Sequence, residues 1–439
     1  MTAVVVGGGL AGCEAAWALA ARGVDVTLYE MRPAVRTPAH RTDRLAELVC
    51  SNSFKSLELG NAHGLLKAEL RRLGSLLLEC ADEARVPGGA ALAVDREIFS
   101  KVVDERVTAH PHIRVVREEV CEIPSPSVVA TGPLTSEALG GALARRLGAD
   151  ALAFYDAIAP VVSSESLDQE CLYPLSRYGK GGGDDYLNAP MDAAGYGAFI
   201  DALLSADEFT AHEFDQVPYF EGCLPVEEMA RRGRETLRFG PMKPVGLPDP
   251  RSGREPFAVV QLRREDRAGQ MWNLVGFQTR LRIPEQRRVF TMIPGLANAE
   301  FLRFGSIHRN AYVNSPGSLA AALTLRDDDR VFLAGQMTGV EGYTESLGTG
   351  LLAGINLARR LSGHAATVPP PTTMLGGLYR YLREADPRHF QPMNANFGLL
   401  DPLEGGSPGR RAGGPPKERK KALLVERAQL DFERWAQTV

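Results

Sequence analysis

The chain is poor in cysteine, and its six thiols, Cys13, Cys50, Cys80, Cys121, Cys171 and Cys223, are scattered along 439 residues. They form no Cys-x-x-Cys pair and no cysteine-histidine ligand spacing, which argues against a zinc site, any other metal centre of that kind, or a dithiol redox motif. Isolated thiols of this sort suit a reducing compartment. No apolar run reaches the roughly 20 residues of a membrane-spanning helix. The N-terminus passes from "TAVVVGG" straight into a glycine turn, without the charged head of a signal peptide, so the expected location is cytoplasmic. An excess of one charge is also missing. The 50 basic residues against 54 acidic ones leave a net charge of −4, which excludes a globally basic nucleic-acid binder but not one basic face. No internal repeat is visible. With 44% hydrophobic and 24% charged residues, the composition is that of a globular protein long enough for two or three domains.

What is present begins at residue 3. "AVVVGGGLAGCEAAWALAARGVDVTLYE" reads as strand, tight turn, alanine-rich helix and second strand. Gly7, Gly9 and Gly12 have the GxGxxG spacing. The first glycine permits the turn, the second lets a pyrophosphate approach the backbone, and the third lets helix and strand pack closely. The backbone from Gly7 and Gly8 through Gly9, Leu10 and Ala11 to Gly12 is thus the expected anion cradle at a helix N-terminus. Gly23 stands where a helix C-terminal cap belongs. Glu30 ends the second strand, where a carboxylate accepts hydrogen bonds from an adenosine ribose.

A second signal decides between NAD and FAD. "VVATGPL" ends a strand in Ala-Thr-Gly and marks Thr131 and Gly132. "VFLAGQMTGVEGYTESLGTGLLAGINLAR" reads as strand, glycine turn and long small-residue helix, with Gly335, Gln336, Gly342, Gly348 and Gly350 as candidate cofactor contacts. In flavoproteins of this kind such a helix turns its positive end toward the flavin ring. Both features favour FAD. No second GxGxxG follows, so a reductant such as NADH or NADPH would bind elsewhere or transiently.

Between these segments the pattern changes, and mixed helices and strands carry no nucleotide signature. The expected fold class is α/β: a Rossmann-like, glutathione-reductase-like FAD-binding domain at 1–154 and 305–375, interrupted by an inserted α+β domain at 155–304. A C-terminal extension, 376–439, contains the glycine- and proline-rich, then basic, stretch 401–421, which on composition alone reads as a solvated loop.

Taken in order, "YEMRP", "LVCSNSFKS", "ALAVDR", "ATGPLTSE", "FEGCLPVEEMARRG", "GPMKPVGL", "HRNAYVNSP", "GQMTGVEGYTES" and "FQPMNANFGLL" resemble the folate- and FAD-dependent tRNA (uracil-5-)-methyltransferase family over nearly the whole chain. The wobble-uridine-modifying FAD proteins are related, but carry a substantial further helical domain. The resemblance implies transfer of one carbon from methylenetetrahydrofolate to C5 of the T-loop uridine of tRNA, with reduced flavin completing the methyl group.

The chemistry explains why thiol and flavin should coexist. C5 of uracil is a poor nucleophile until a thiolate adds at C6. Loss of the C5 proton and the thiol then leaves an exocyclic methylene that needs a hydride, which the cofactor supplies while the protein positions it. The resemblance marks Cys50 and Cys223 as catalytic, with Cys223 adding at C6 and Cys50 assisting, or the reverse. Lys55, Arg231 and Arg232 are candidate cations for activating them. His308, in "SIHRNAYVNS" with Asn310 and Tyr312, is a candidate to cover the pterin, and Tyr343 a second one. Arginine and lysine in "MARRGRE", "GPMKPVG" and 410–421 are candidate phosphate contacts. The glycine motifs alone favour an NAD(P)H-dependent flavin oxidoreductase on small molecules, which leaves the cysteine blocks unexplained; the same blocks count against a third reading, a non-catalytic flavin module that docks on tRNA or a modification partner.

Overall fold

A computed structural model describes residues 1–37, 39–147, 152–209, 224–266, 268–388, 390–403 and 417–439, and of 152–158, 306–311 and 417 only the backbone. Cys223 and most of the basic 401–421 segment therefore lie outside the described residues. The valine-rich run Thr2–Val6 forms the middle strand of a five-stranded sheet. Asp25–Tyr29 and then Ile113–Val116 lie to one side, and Ser127–Val129 and then Val331–Leu333 to the other. All four pairings are parallel, with Val5 opposite Leu28 and Val6 opposite Val129. The chain order thus reverses at the middle strand, and a crevice opens at the carboxyl ends of strands at such a reversal.

The helix Leu10–Ala20 follows the first strand and is buried at nine of its eleven residues. Its alanines allow this, because a second helix, Tyr343–Leu361, lies directly on it. A Cβ at Gly350 would collide with the Ala11 carbonyl, and one at Gly354 would lie 2.5 Å from the Ala15 carbonyl. Side by side and running in the same direction, the two helices join sequence from both ends of the chain in one core. The C-terminal helix Lys417–Ala436 adds Leu424, Ala428 and Phe432 to it.

A second core belongs to a six-stranded antiparallel sheet, ordered Tyr173–Pro174, Tyr186–Met191, Ala258–Arg264, Met271–Leu274, Val161–Ser163 and Phe301–Arg303. Phe199, Phe277 and Phe290 fill it without solvent exposure. The chain enters and leaves this region through an antiparallel ladder of Leu152–Ile158 with Ser306–Tyr312. A small sheet of Ser53–Ser56, Ala91–Val94 and Arg85–Val86 completes the architecture.

Several helix starts in the first core are closed by acidic or hydroxyl groups, as exposed amides at a helix end require. Glu69 lies at the C-terminal end of the helix Ala62–Arg72 and accepts from the amides of Met374 and Leu375, both at 2.8 Å, at the start of the helix Met374–Glu384. Glu14 does the same for the helix Leu76–Glu83 through the Leu77 amide at 3.0 Å and the Ser75 hydroxyl.

Burial lifts the Glu69 carboxyl from 4.5 to about 8, against the pull of its two amide hydrogen bonds. A folded-state value above the unfolded one means that the folded chain holds an extra proton between those two pH values. The contribution to stability is therefore complete below pH 4.5 and is lost as pH rises toward 8. The stability of the parent relative to Glu69→Gln should fall by roughly 1 kcal/mol per pH unit between about pH 5.5 and 7.5 in urea unfolding. A difference independent of pH would contradict this reading.

Candidate functional site

Val6 leads into Gly7, whose φ of +103° only glycine adopts without strain, and whose amide donates to the Tyr29 carbonyl at 2.8 Å. A Cβ at Gly12 would strike the Gly7 carbonyl, so the helix can begin this close to the strand only with glycine there. Gly9 is the opposite case: a Cβ there would meet nothing within 4 Å. The helix starts at Leu10 on Gly9, with no side-chain cap and no acidic residue in its first turn. Its free amides are left for an anion.

Glu30 is buried beside this turn. Its Oε2 accepts from the Gly8 amide at 3.0 Å, and its Oε1 from the amide and Nε of Arg32 at 3.0 and 2.9 Å. Burial alone would raise the carboxyl, but Arg32 and these amides hold it below the usual carboxylate range. Acceptor capacity remains on Oε2, where one further hydroxyl can bind. Across the cleft stand Thr131, whose Oγ1 lies 2.6 Å from that of Thr135, and Gly132, with φ +67° at the start of the turn Gly132–Leu134.

Gly335, Gln336, Gly342, Gly348 and Gly350 sit on the neighbouring element. The Gly335 amide donates to Thr349 Oγ1 at 2.8 Å, Gln336 Nε2 donates to Glu341 at 2.7 Å, and Gly348 faces Leu375 and Leu70. Gly342 has φ +116° and starts the long helix, again without a side-chain cap. Among the described α-helices whose N-cap is recorded, only these two begin on glycine; others begin on Asn61, Ser75, Asp95, Asp192 or Thr373, each accepting a first-turn amide. Ala11 meets Gly350, so the long helix reaches about six residues, or about 9 Å, beyond the start of the first. Two uncapped helix ends offset along one direction, a glycine cradle and a ribose carboxylate fit an extended dinucleotide. FAD can be held by Gly7–Gly12, Glu30 and Thr131 at its adenosine and pyrophosphate end.

At the long helix's first residue, the hydroxyl of Tyr343 accepts from the amides of Cys50 and Ser51, at 2.9 and 3.0 Å, and donates to the Ser51 carbonyl at 3.0 Å. Its ring packs on Phe54 at 5.5 Å. The other side of the Cys50 loop is held by Arg96, which donates to the carbonyls of Leu48 at 2.7 Å and Cys50 at 3.0 Å and pairs with Glu265 at 2.7 Å. Asn52, fully buried, donates to the carbonyls of Val94 and Arg264 and accepts from Arg263 Nε at 3.0 Å. Arg303 Nη2 lies 3.4 Å from the Cys50 carbonyl. The sulfur is near enough to raise the affinity of Arg96, Arg303 and Tyr343 for their protons, although burial has the larger influence on each. A partly exposed thiol among cations is the setting in which reactive cysteines occur.

Tyr343 and Cys50 are thus brought together through the tyrosine's hydroxyl. Lys55 does not figure among the groups fixing the loop; its charge acts on the buried Glu345 and Lys67 instead. Arg96, Glu265 and Arg303 are not among the residues that the sequence singles out. Arg96 stands in "ALAVDR", one of the recognisable blocks, whereas nothing local marks the other two. Cys223 lies outside the described residues. Leu224 resumes the chain just before the helix Val226–Arg231, where Arg231 is engaged by Glu208 and Glu228. Arg234, from the same basic stretch, is paired with Asp201.

For His308 only the backbone is described; it pairs with Asp156. The buried Tyr312 hydroxyl donates to the Phe390 carbonyl at 3.4 Å. Cys13 is buried and donates to the Gly8 carbonyl at 3.4 Å. Among the described residues no group of three or more His, Cys, Asp or Glu is arranged to hold a metal ion. No helix among them is long and apolar enough to cross a membrane.

Comparison with known proteins places this geometry. Residues 2–365 match the model of the family described as Glucose inhibited division protein A. A protein of Geobacter sulfurreducens named methylenetetrahydrofolate--tRNA-(uracil-5-)-methyltransferase TrmFO is 57% identical, over 99% of this chain and 99% of its own length. One of the same name from Thermus thermophilus is 55% identical, over 98% and 95%. The solved structure of Aquifex aeolicus GidA in its form II crystal superposes with a TM-score of 0.68 at 17% identity, covering 98% of this chain and 73% of that one, which establishes a shared fold. With more than half of its residues identical along its whole length, the chain belongs to the TrmFO family of methylenetetrahydrofolate--tRNA-(uracil-5-)-methyltransferases, and to the glucose inhibited division protein A family.

Proposed function

We propose that the chain forms 5-methyluridine in the T loop of tRNA, with methylenetetrahydrofolate as carbon donor, FAD as bound cofactor, and NADH or NADPH as reductant, in the cytoplasm. The observation that carries this reading is the Cys50 loop, a thiol-bearing turn fixed at the head of the long helix by its first residue, Tyr343. In this reading residues 1–154 and 305–375 hold the flavin, 155–304 form an inserted region facing tRNA, and 376–439 are an extension whose basic run continues into the helix Lys417–Ala436. FAD, when bound, supplies the hydride.

The chain's own residues do the rest. A thiolate, from Cys223 with Cys50 assisting or the reverse, adds to C6 of the uracil, and the C5 proton and the thiol leave once the carbon is attached. Tyr343 and Arg96 fix both sides of the peptide that carries Cys50, so the backbone from which its sulfur projects is held in place. Glu265 carries that constraint across from the antiparallel sheet. His308 is proposed to cover the pterin. Extruding the T-loop base costs a few kcal/mol, offset by stacking and backbone contacts.

Incubation with carbon-labelled methylenetetrahydrofolate, NADH or NADPH, and tRNA lacking the modification should place label in the T-loop uridine. Cys50→Ala and Cys223→Ala should each abolish it, and transfer at the parent's rate in either variant would remove that cysteine from the chemistry. Label only at a wobble base would indicate the other flavoprotein activity of this kind. Tyr343→Phe keeps the ring on Phe54 and removes the hydroxyl. It should lower kcat by about 10- to 100-fold, with flavin content and both KM values within about twofold of the parent. An unchanged kcat would leave Tyr343 no part in aiming the loop.

A further inference from the structure

Next to the Cys50 loop lies a cavity of about 260 Å³ whose walls come from the segments 39–49 and 95–100 and from the antiparallel sheet at Val161, Met271 and Arg303. Leu48, Met271 and Phe304 make its apolar side. Most of the charge on its walls is already matched. Arg96 is taken up by Glu265 and two carbonyls. Glu47 accepts from Arg32, from the amides of Arg41 and Thr42, and from the Thr42 hydroxyl. Asp95 accepts from two amides at the start of the helix Arg96–Ala109.

Two guanidiniums and the exposed carboxylate of Glu97 remain. Among the described residues Arg303 has only its long contact to the Cys50 carbonyl, and its Nε is sealed from solvent without an acceptor. Arg41 makes no side-chain hydrogen bond or ion pair with any described residue, yet its charge acts on Arg303. Burial first, and then the charges of Arg96 and Arg41, make the Arg303 cation costly to hold, down to about 10, against the opposing pull of Glu265. A buried donor with no acceptor among the described residues, and two guanidiniums that no described carboxylate pairs within ion-pair distance, beside the Cys50 thiol, are the complement of an oxyanion.

We propose that this cavity binds an oxyanion carried by a substrate, held by Arg303 with Arg41, so that the attached group is delivered beside Cys50. Carboxylate and phosphate share that chemistry, and the proposed function supplies both: the glutamyl tail of the folate, or the phosphate of the target nucleotide. The inference rests on that function for its ligands and goes beyond it in assigning the site.

Equilibrium binding to the FAD-loaded full chain separates the sources, with tetrahydrofolate, tetrahydropteroate (which lacks the glutamate) and a T-arm RNA hairpin as probes. Arg303→Gln and Arg41→Gln should each weaken one of the two substrates by about tenfold or more, and Arg303→Lys should restore part of the loss. If the tail is the source, tetrahydropteroate binds the parent about as weakly as tetrahydrofolate binds Arg303→Gln, and RNA binding is unchanged. If the phosphate is the source, the hairpin alone weakens and its salt dependence falls by about one charge. Should Arg303→Gln lose flavin or fold poorly, the exposed Arg41 provides the same reading. Equal weakening of both substrates, or of neither, overturns the proposal. A parent that binds neither substrate counts against the proposed function instead.

Discussion

The contact on which the rest of the molecule depends is the meeting of two helices with almost no side chain between them. Gly350 and Gly354 place the backbone of the long helix against the carbonyls of Ala11 and Ala15. The glycine turn at residue 7 and the segment beginning at residue 331 therefore share one core, although more than 300 positions separate them. Because the helices run in the same direction, the seat at Gly350 also fixes the place of Tyr343, seven residues earlier. Tyr343 in turn holds the Cys50 loop.

Helix starts around the first core differ in how they are closed. Those of the helices at 76–83 and 374–384 are closed by acids, Glu69 at Met374 and Leu375 and Glu14 at Leu77. The two that begin on glycine, at Gly9 and Gly342, carry no side-chain cap. Burying carboxylates such as Glu14, raised to about 7, and Glu69 is a cost the fold accepts in order to seat helices where the cleft needs walls.

The parts of the site legible in the sequence are those built within one stretch of chain. Strand, turn and helix at 2–20 fix the places of Gly7, Gly9 and Gly12 by spacing alone, and Glu30 follows from the length of the next strand. Cys50 and Tyr343 stand out as members of unusual blocks, but not as partners. Their hydrogen bond joins residues 293 positions apart, and no periodicity reports such a distance. For the same reason Lys55, close in sequence, is the natural candidate for the cation near Cys50, whereas Arg96 holds that place, 46 residues away, and Glu265 behind it comes from the other sheet. Arg303 is invisible in the sequence because its significance lies in what it does not bond to.

The central claim is that the seat of the long helix on the first helix governs the order of the Cys50 loop. Hydrogen exchange of the Cys50 and Ser51 amides in the FAD-loaded parent and in Gly350→Ala tests it most directly. The added methyl would push the long helix off Ala11. Protection of residues 50 and 51 should then fall together with that of the helix start at 343–346, while the antiparallel sheet at 258–264 keeps its own. Loss of protection at 343–346 with residues 50 and 51 unchanged would contradict the account.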